Sequence, residues 1–349
     1  MFGGLVATVG LIGSSFATGF LTIFIMYGLV VGLGWGLCFT PSSFVVSHYF
    51  KEKHHGLIFA IAACGVGFGH FLTPVLLEAL TNWYNWRGLI LIQAGCNMHL
   101  CLGGAVLRPL PGMKSSKETG GIFQLAVFKN FMLDHFLLHC FLLTLGLSVV
   151  FVHFAYGVET FARVGSDLSS TAVGIMGISG IAGRFVHCML IKRVNNAITY
   201  YMCSFFITSV SLCALPYANT FPLVVVCTVA IGFSLAVYGA VQIIIILGIV
   251  DFQYTITAYG YLNMVAGLGL FIGAPVAGRL YDVTGNYAVS MYYGGSMMAL
   301  SVVSLLWLRH QWHRKRLGRS IHADGEEKGS AISREPDEDG QPTLGMYGS

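Results

Sequence analysis

The chain has 349 residues, 55% of them hydrophobic and 10% charged, with a formal net charge of +4 at pH 7. An ordinary soluble domain carries about 25% charged residues and shows a polar stripe on most helices; 221–250 and 258–280 have none. This composition argues against a soluble enzyme and, because the small positive charge sits in short loops, against a nucleic-acid binder. In chain order, ten apolar stretches cover 2–20, 21–46, 56–80, 88–107, 131–158, 171–191, 198–216, 221–250, 258–280 and 287–308. A helix of roughly 20 apolar residues crosses about 30 Å of hydrocarbon. The stretches are continuously apolar, not alternating as barrel strands do, so helices are what satisfies their backbone groups in lipid. The fold class is therefore an all-α polytopic membrane protein of about ten transmembrane helices.

Met1-Phe2-Gly3-Gly4 has no basic segment before the first span, so no cleavable leader is expected. Gly28, Gly32 and Gly36 in the second span recur every fourth position, as do Gly65 with Gly69 and Gly269 with Gly273. Small residues at that spacing predict close helix packing. The segment from Arg108 to Lys129, with Pro109, Pro111, serines, glycines and charges, reads as a flexible link. It divides the chain into an incomplete four-span bundle (1–107), a cytoplasmic linker (108–130), a six-helix bundle (131–308) and a disordered cytoplasmic tail (309–349).

Basic residues cluster in alternate loops: Lys51 and Lys53; Arg108, Lys114, Lys117 and Lys129; Lys192 and Arg193; and Arg309 to Arg319. The positive-inside rule places these loops, and both termini, in the cytoplasm. The third span ends with Pro74, followed eleven residues later by Asn85-Trp86; the ninth holds Pro275, followed eleven residues later by Asn286-Tyr287. That echo, offset by six spans, suggests parallel six-helix halves, the repeat of major facilitator carriers.

Nine cysteines are scattered without pairing or metal spacing. His135 and His139 lie four apart, but no carboxylate or cysteine cluster joins them, so no metal and no cofactor is expected. Among ionisable residues within spans, which default to function, Arg184 stands out, in Gly180-Ile-Ala-Gly183-Arg184-Phe-Val-His187. It lies roughly 10 Å from the end of its span at Ile191, so two roles stay open: snorkelling to that interface or holding a carboxylate by two parallel donors. His70, Gln93, Asn97, His153, Gln242 and Asn263 are polar residues deeper inside, each able to line a cavity or bond between helices.

Several segments carry a resemblance. Tyr49-Phe50-Lys51-Glu52-Lys53, then Ala60-Ile61-Ala62-Ala63-Cys64-Gly65, resembles the loop and fifth-helix motif of the monocarboxylate transporter family. Trp86-Arg87-Gly88 and Leu107-Arg108-Pro109-Leu110 resemble the start and end of that family's sixth helix. Pro275-Val276-Ala277-Gly278-Arg279-Leu280-Tyr281-Asp282, with Gly285-Asn286-Tyr287, resembles its helix-eleven ending. The order and spacing match across residues 1–308. The resemblance implies a twelve-helix major facilitator fold that moves a small monocarboxylate, often with a proton, at the plasma membrane. It also implies a single-span immunoglobulin-type chaperone as a partner.

By this register the chain starts at the family's third helix, and the acidic-Gly-Gly-Trp motif and lysine of its first helix have no counterpart. Proton-coupled members carry, in helix eight, an Asp four residues before an Arg; Arg184 matches the Arg, and Gly180 stands at the Asp position. These departures point away from lactate–proton coupling and toward another organic acid, an amino acid or a related zwitterion.

The leading expectation is transport of a small organic acid by alternating access, with Arg184 holding the carboxylate and Phe233, Tyr238 and Asn263 as further pocket candidates. The other is a shortened, non-transporting product that acts through partner binding or not at all. A receptor, a channel or an enzyme finds no motif in support.

Overall fold

The structure, a computed structural model, describes residues 1–49, 55–107, 130–191, 193–194, 196–250 and 254–332. The expectations for the basic loop at 51–54, the linker at 108–129, Lys192 and the tail beyond Ile332 lie outside these residues. The helices are α1 (Phe2–Ser15), α2 (20–49), α3 (55–84), α4 (86–106), α5 (131–162), α6 (Ser166–Ile191), α7 (Ala197–Ala214), α8 (221–249), α9 (Thr255–Thr284) and α10 (Tyr287–Ile332). Seven helical stretches among the described residues are long and apolar enough to cross a membrane, and Phe2–Ser15 and Phe221–Leu235 are shorter apolar helices.

Several rods are composite. α2 contains a π-helical stretch, Phe24–Val31. α3 and α4 run together as His55–Asn97 but are separated at Asn85, whose backbone (φ 59, ψ 167) leaves the helical region. Positive φ is uncommon outside glycine, and asparagine is among the residues that tolerate it. The Asn85 Oδ1 accepts from the backbone N–H of Trp86 at 2.6 Å. At the echoed position, Gly285 (φ 66) ends α9, and Asn286 Oδ1 accepts from Ala288 N–H at 2.8 Å. Both asparagines of the six-span echo thus start a helix by satisfying an orphan donor.

α5 breaks at His153, whose Nε2 lies 3.1 Å from the Ala274 carbonyl of α9. α8 breaks at 236–237, between Phe221–Leu235 and Tyr238–Ile249. The last helix continues past the apolar span, from Tyr287 to Ile332. Arginine, lysine and glutamate, frequent in that stretch, are good helix formers.

The larger core lies in the second half, where Phe136, Leu143, Tyr201, Phe205, Ile231 and Leu262 are fully or almost fully buried together. Among the described residues, the first half has a smaller core cluster of Ala7, Leu11, Val31 and Ala94. There, Asn97 of α4 joins three helices. Its Nδ2 donates to Gly4 O (3.1 Å) and Thr8 Oγ1 (3.0 Å) of α1, and its Oδ1 accepts from Trp35 Nε1 of α2 (2.8 Å).

The packing glycines are partly those expected. α9 meets α5 at Gly269 and Gly273: a β-carbon at Gly273 would stand 2.6 Å from the Leu145 carbonyl, and one at Gly269 2.9 Å from that of Phe141. The stripe Gly28, Gly32 and Gly36, by contrast, has nothing within 4 Å, and neither do Gly65 and Gly69. Gly34 makes the contact instead, its β-position 2.6 Å from the Gly3 carbonyl of α1. The fourfold spacing identified a face, but a helix in lipid has several small-residue faces and only the neighbouring helix selects one.

Gly273→Leu is therefore expected to force α9 off α5, destabilising the second half by about 1–3 kcal/mol or more as overpacking does. Thermal denaturation in detergent checks this. The control is Gly267→Leu, whose β-position is open, and equal melting temperatures for the two variants would contradict the assignment.

Candidate functional site

A cavity of about 640 Å³ lies between the two halves. The first half contributes Phe39 and Ser42 from α2, and Val66 and His70 from α3. The second half contributes Leu147 and Phe151 of α5, Met176, Gly180 and Arg184 of α6, Tyr238 and Gln242 of α8, and Tyr259 of α9. Most of the wall is apolar or aromatic. The polar groups are few and convergent, the usual character of a small-molecule site.

α3 and α6 form the closest contact between the halves. A β-carbon at Gly177 would lie 2.6 Å from Phe71 N and 2.8 Å from Gly67 O, so the two backbones touch. The contact continues through Phe71, whose ring lies 3.5 Å from the β-position of Gly174. Glycine is required here because any side chain would stand between the helices.

Arg184 lies just beside this crossing, half-buried, with its guanidinium directed back along α6. A β-carbon at Gly180 would be 3.0 Å from Arg184 Nη1, and one at Gly67 3.2 Å. Helix side chains lean toward the N-terminus, so the charge points toward mid-membrane and away from the nearer interface at Ile191. The guanidinium thus lies beside Gly180 and Gly67, away from the end of α6 at Ile191. Glycine at 180 leaves the space in which the guanidinium lies. Among the described residues no ion pair reaches Arg184, and no carboxylate lines the cavity.

One turn beyond Arg184, His187 is engaged on both ring nitrogens. Its Nε2 is 2.8 Å from the Phe233 carbonyl, and its Nδ1 bonds the Tyr200 hydroxyl. With Nε2 donating to the carbonyl, Nδ1 accepts from the phenol. The histidine thus fastens α6 to α7 and α8 and holds the helix segment that carries Arg184. On α8, the Tyr238 hydroxyl is 4.0 Å from Cys140 Sγ, and Gln242 Nε2 is 3.8 Å from the same sulfur.

Of the four candidate residues, Arg184 and Tyr238 are on the wall and come together there. Phe233 and Asn263 are not among the lining residues. The Phe233 ring packs on His187, centroids 4.8 Å apart, and Asn263 Nδ2 donates back to the Tyr259 carbonyl at 3.0 Å. Both are occupied within their own bundle. His70 and Gln242, noted in the sequence only as polar residues inside spans, line the cavity, as do Phe151 and Tyr259, which an aromatic-rich span does not advertise. His135 and His139 part company: His135 stacks on Trp307 at 4.0 Å, and the buried His139 has Nδ1 2.9 Å from Ser301 O.

Two helical bundles facing each other across a cavity with a guanidinium on its wall define a multi-pass membrane carrier. Residues 1–200 and 167–333 match the family model described as Major Facilitator Superfamily. Among curated relatives, monocarboxylate transporter 13 of Rattus norvegicus is 31% identical over 315 residues, covering 89% of this chain and 72% of that protein. Monocarboxylate transporter 12 of Homo sapiens is 28% identical over 345 residues, covering 88% of this chain and 66% of that protein. Among solved structures, the E. coli fucose:proton symporter FucP aligns with a TM-score of 0.65 at 13% identity, covering 88% of this chain and 82% of that one, a likeness of fold alone. The chain belongs to the Major Facilitator Superfamily and, within it, to the monocarboxylate transporter family.

Proposed function

We propose that this transporter carries a small organic anion with one carboxylate, by alternating access, and that Arg184 holds the carboxylate. The observation that carries the reading is the guanidinium directed into a largely apolar cavity with no ion-pair partner among the described residues. A cation at membrane depth is costly, on the order of 2.5–3.5 kcal/mol on insertion scales, and an anionic substrate supplies the missing countercharge. Tyr238 and Gln242 stand nearby as hydrogen-bonding groups for the remaining oxygens. A zwitterion fits less well, since no carboxylate among the described lining residues receives an ammonium group. The names of the relatives specify monocarboxylates, which agrees with one guanidinium and one charge to neutralise.

Most lining residues fall in the last part of α2, the first part of α3, the later part of α6, the middle and later part of α8 and the start of α9, with Leu147 and Phe151 at the middle of α5. With the basic loops in the cytoplasm, this is an inward-facing conformation at the plasma membrane, and both termini are cytoplasmic. Transport then requires α3 and α6 to part at Gly67 and Gly177 when the opposite end opens.

Uptake into proteoliposomes tests the reading. Labelled monocarboxylates are expected to enter saturably and to compete with one another, and amines of similar size are not. Equal uptake of amines and carboxylates would overturn it.

One observation favours the second reading, a non-transporting partner-binding chain: the Gly28, Gly32 and Gly36 face of α2 has nothing within 4 Å. Light scattering of the detergent-solubilised chain checks this, and a monomer that exchanges substrate would dismiss it.

A further inference from the structure

The cavity has two polar ends, and a carboxylate on Arg184 occupies only one of them. Arg184 Nη1 stands 3.0 Å from the β-position of Gly180, which itself lies 3.4 Å from the Gly232 carbonyl of α8. The guanidinium is therefore level with Gly232. Tyr238 and Gln242, the polar lining groups of α8, follow later on that helix. At 1.5 Å per residue they lie roughly 9 and 15 Å farther along it. Between the two levels α8 lines the cavity with Leu235 and Ala236, and Phe39, Val66, Leu147 and Phe151 extend the apolar wall from other helices.

The far end is built to hold a polar atom. Gln242 is only 2% exposed, yet it borders the cavity. Its Nε2 and the Tyr238 hydroxyl meet the same Cys140 sulfur, at 3.8 and 4.0 Å. A thiol is a weak partner, so a ligand oxygen between the phenol and the amide is the better one. A phenol and an amide match a neutral group, whereas a second carboxylate there would lack a countercharge. The size agrees. About 640 Å³ falls within the roughly 300–1,000 Å³ that takes a drug-sized ligand. A short aliphatic acid on Arg184 would leave most of the apolar wall facing water.

We propose that the substrate is an elongated monocarboxylate. Its carboxylate lies on Arg184, an apolar or aromatic body runs along the wall, and a neutral hydroxyl or carbonyl reaches Tyr238 and Gln242 at the far end. The inference rests on Arg184 as the carboxylate site and deepens it. The wall selects for length, and Tyr238 and Gln242 select for the distal group.

The test measures binding of three labelled acids to the purified full chain: propanoate, 3-phenylpropanoate and 3-(4-hydroxyphenyl)propanoate. Burial of the ring is expected to tighten binding roughly 10- to 150-fold over propanoate. The hydroxyl is expected to add roughly 2- to 10-fold by pairing with Tyr238 and Gln242. The sign is diagnostic, because a hydroxyl that finds no partner in an apolar site weakens binding instead. In the double variant Tyr238→Phe, Gln242→Met the hydroxylated acid is expected to lose its advantage over 3-phenylpropanoate. The readout is the ratio of the two acids, so a general change in affinity does not mimic it. If gel filtration shows the double variant misfolded, Tyr238→Phe alone is read by the same ratio. Propanoate binding as tightly as 3-phenylpropanoate, a hydroxyl that weakens binding to wild type, or a ratio unmoved by the substitutions overturns the elongated substrate and leaves Arg184 standing. Arg184→Ala is expected to weaken all three acids together. If it weakens none, or if wild type binds none of the three, the carboxylate site falls and this inference with it.

Discussion

Arg184→Ala is expected to reduce carboxylate affinity by about 2–5 kcal/mol, roughly 30-fold to several thousandfold, the usual cost of truncating one partner of a buried charge pair. The reason is specific to the cavity wall. Its other described groups are aromatic, aliphatic or polar without a fixed charge, so the carboxylate has no second permanent cation to turn to. Arg184→Lys keeps the charge but loses the paired donors, and an intermediate loss is expected. Folding should survive both changes, because Arg184 donates no structural hydrogen bond among those described, whereas His187 one turn away ties α6 to its neighbours. Equilibrium binding of a labelled monocarboxylate to purified protein measures the effect. Wild-type affinity in the alanine variant would remove the guanidinium from the substrate site.

The second large effect is expected at the crossing of α3 and α6. Gly177→Leu would place a β-carbon 2.6 Å from Phe71 N and 2.8 Å from Gly67 O, so the two backbones cannot remain in contact. Overpacking of this kind costs about 1–3 kcal/mol, here charged to one conformation only, since the contact must part in the other. The ratio of the two conformations then shifts by roughly 5- to 150-fold, and uptake falls in proportion because the cycle needs both. Gly69→Leu, on the facing helix α3 with nothing within 4 Å, is expected to transport normally. Uptake rates of the two variants, with gel-filtration profiles to show that both are folded, make the comparison. A fully active Gly177→Leu carrier would mean that α3 and α6 do not form the moving contact.

Much of this architecture is legible in the sequence. Each apolar span appears as a helix, and the break between the third and fourth is made by Asn85, a residue the six-span echo had singled out together with Asn286. Gly269 and Gly273 lie where close packing was expected, whereas Gly28, Gly32 and Gly36 lie on an open face. The difference has a physical origin. Helix faces in a soluble protein are marked by polarity, but apolar residues serve equally against lipid and against another helix. Phe233 and Asn263 illustrate the same limit at the site: their types and depth suit a pocket, yet one packs on His187 and the other bonds its own helix.

From the sequence alone came the membrane-spanning helices, because lipid offers backbone groups no other partners, and the choice of Arg184 as a candidate, because a charge at that depth needs a reason. The tertiary structure alone decided that Arg184 leans back over Gly180, that Gly67 and Gly177 carry the contact between halves, and that His70 and Arg184 line one cavity. Those outcomes depend on how two bundles rotate and lean against each other, and uniformly apolar helices carry no pattern that specifies the rotation.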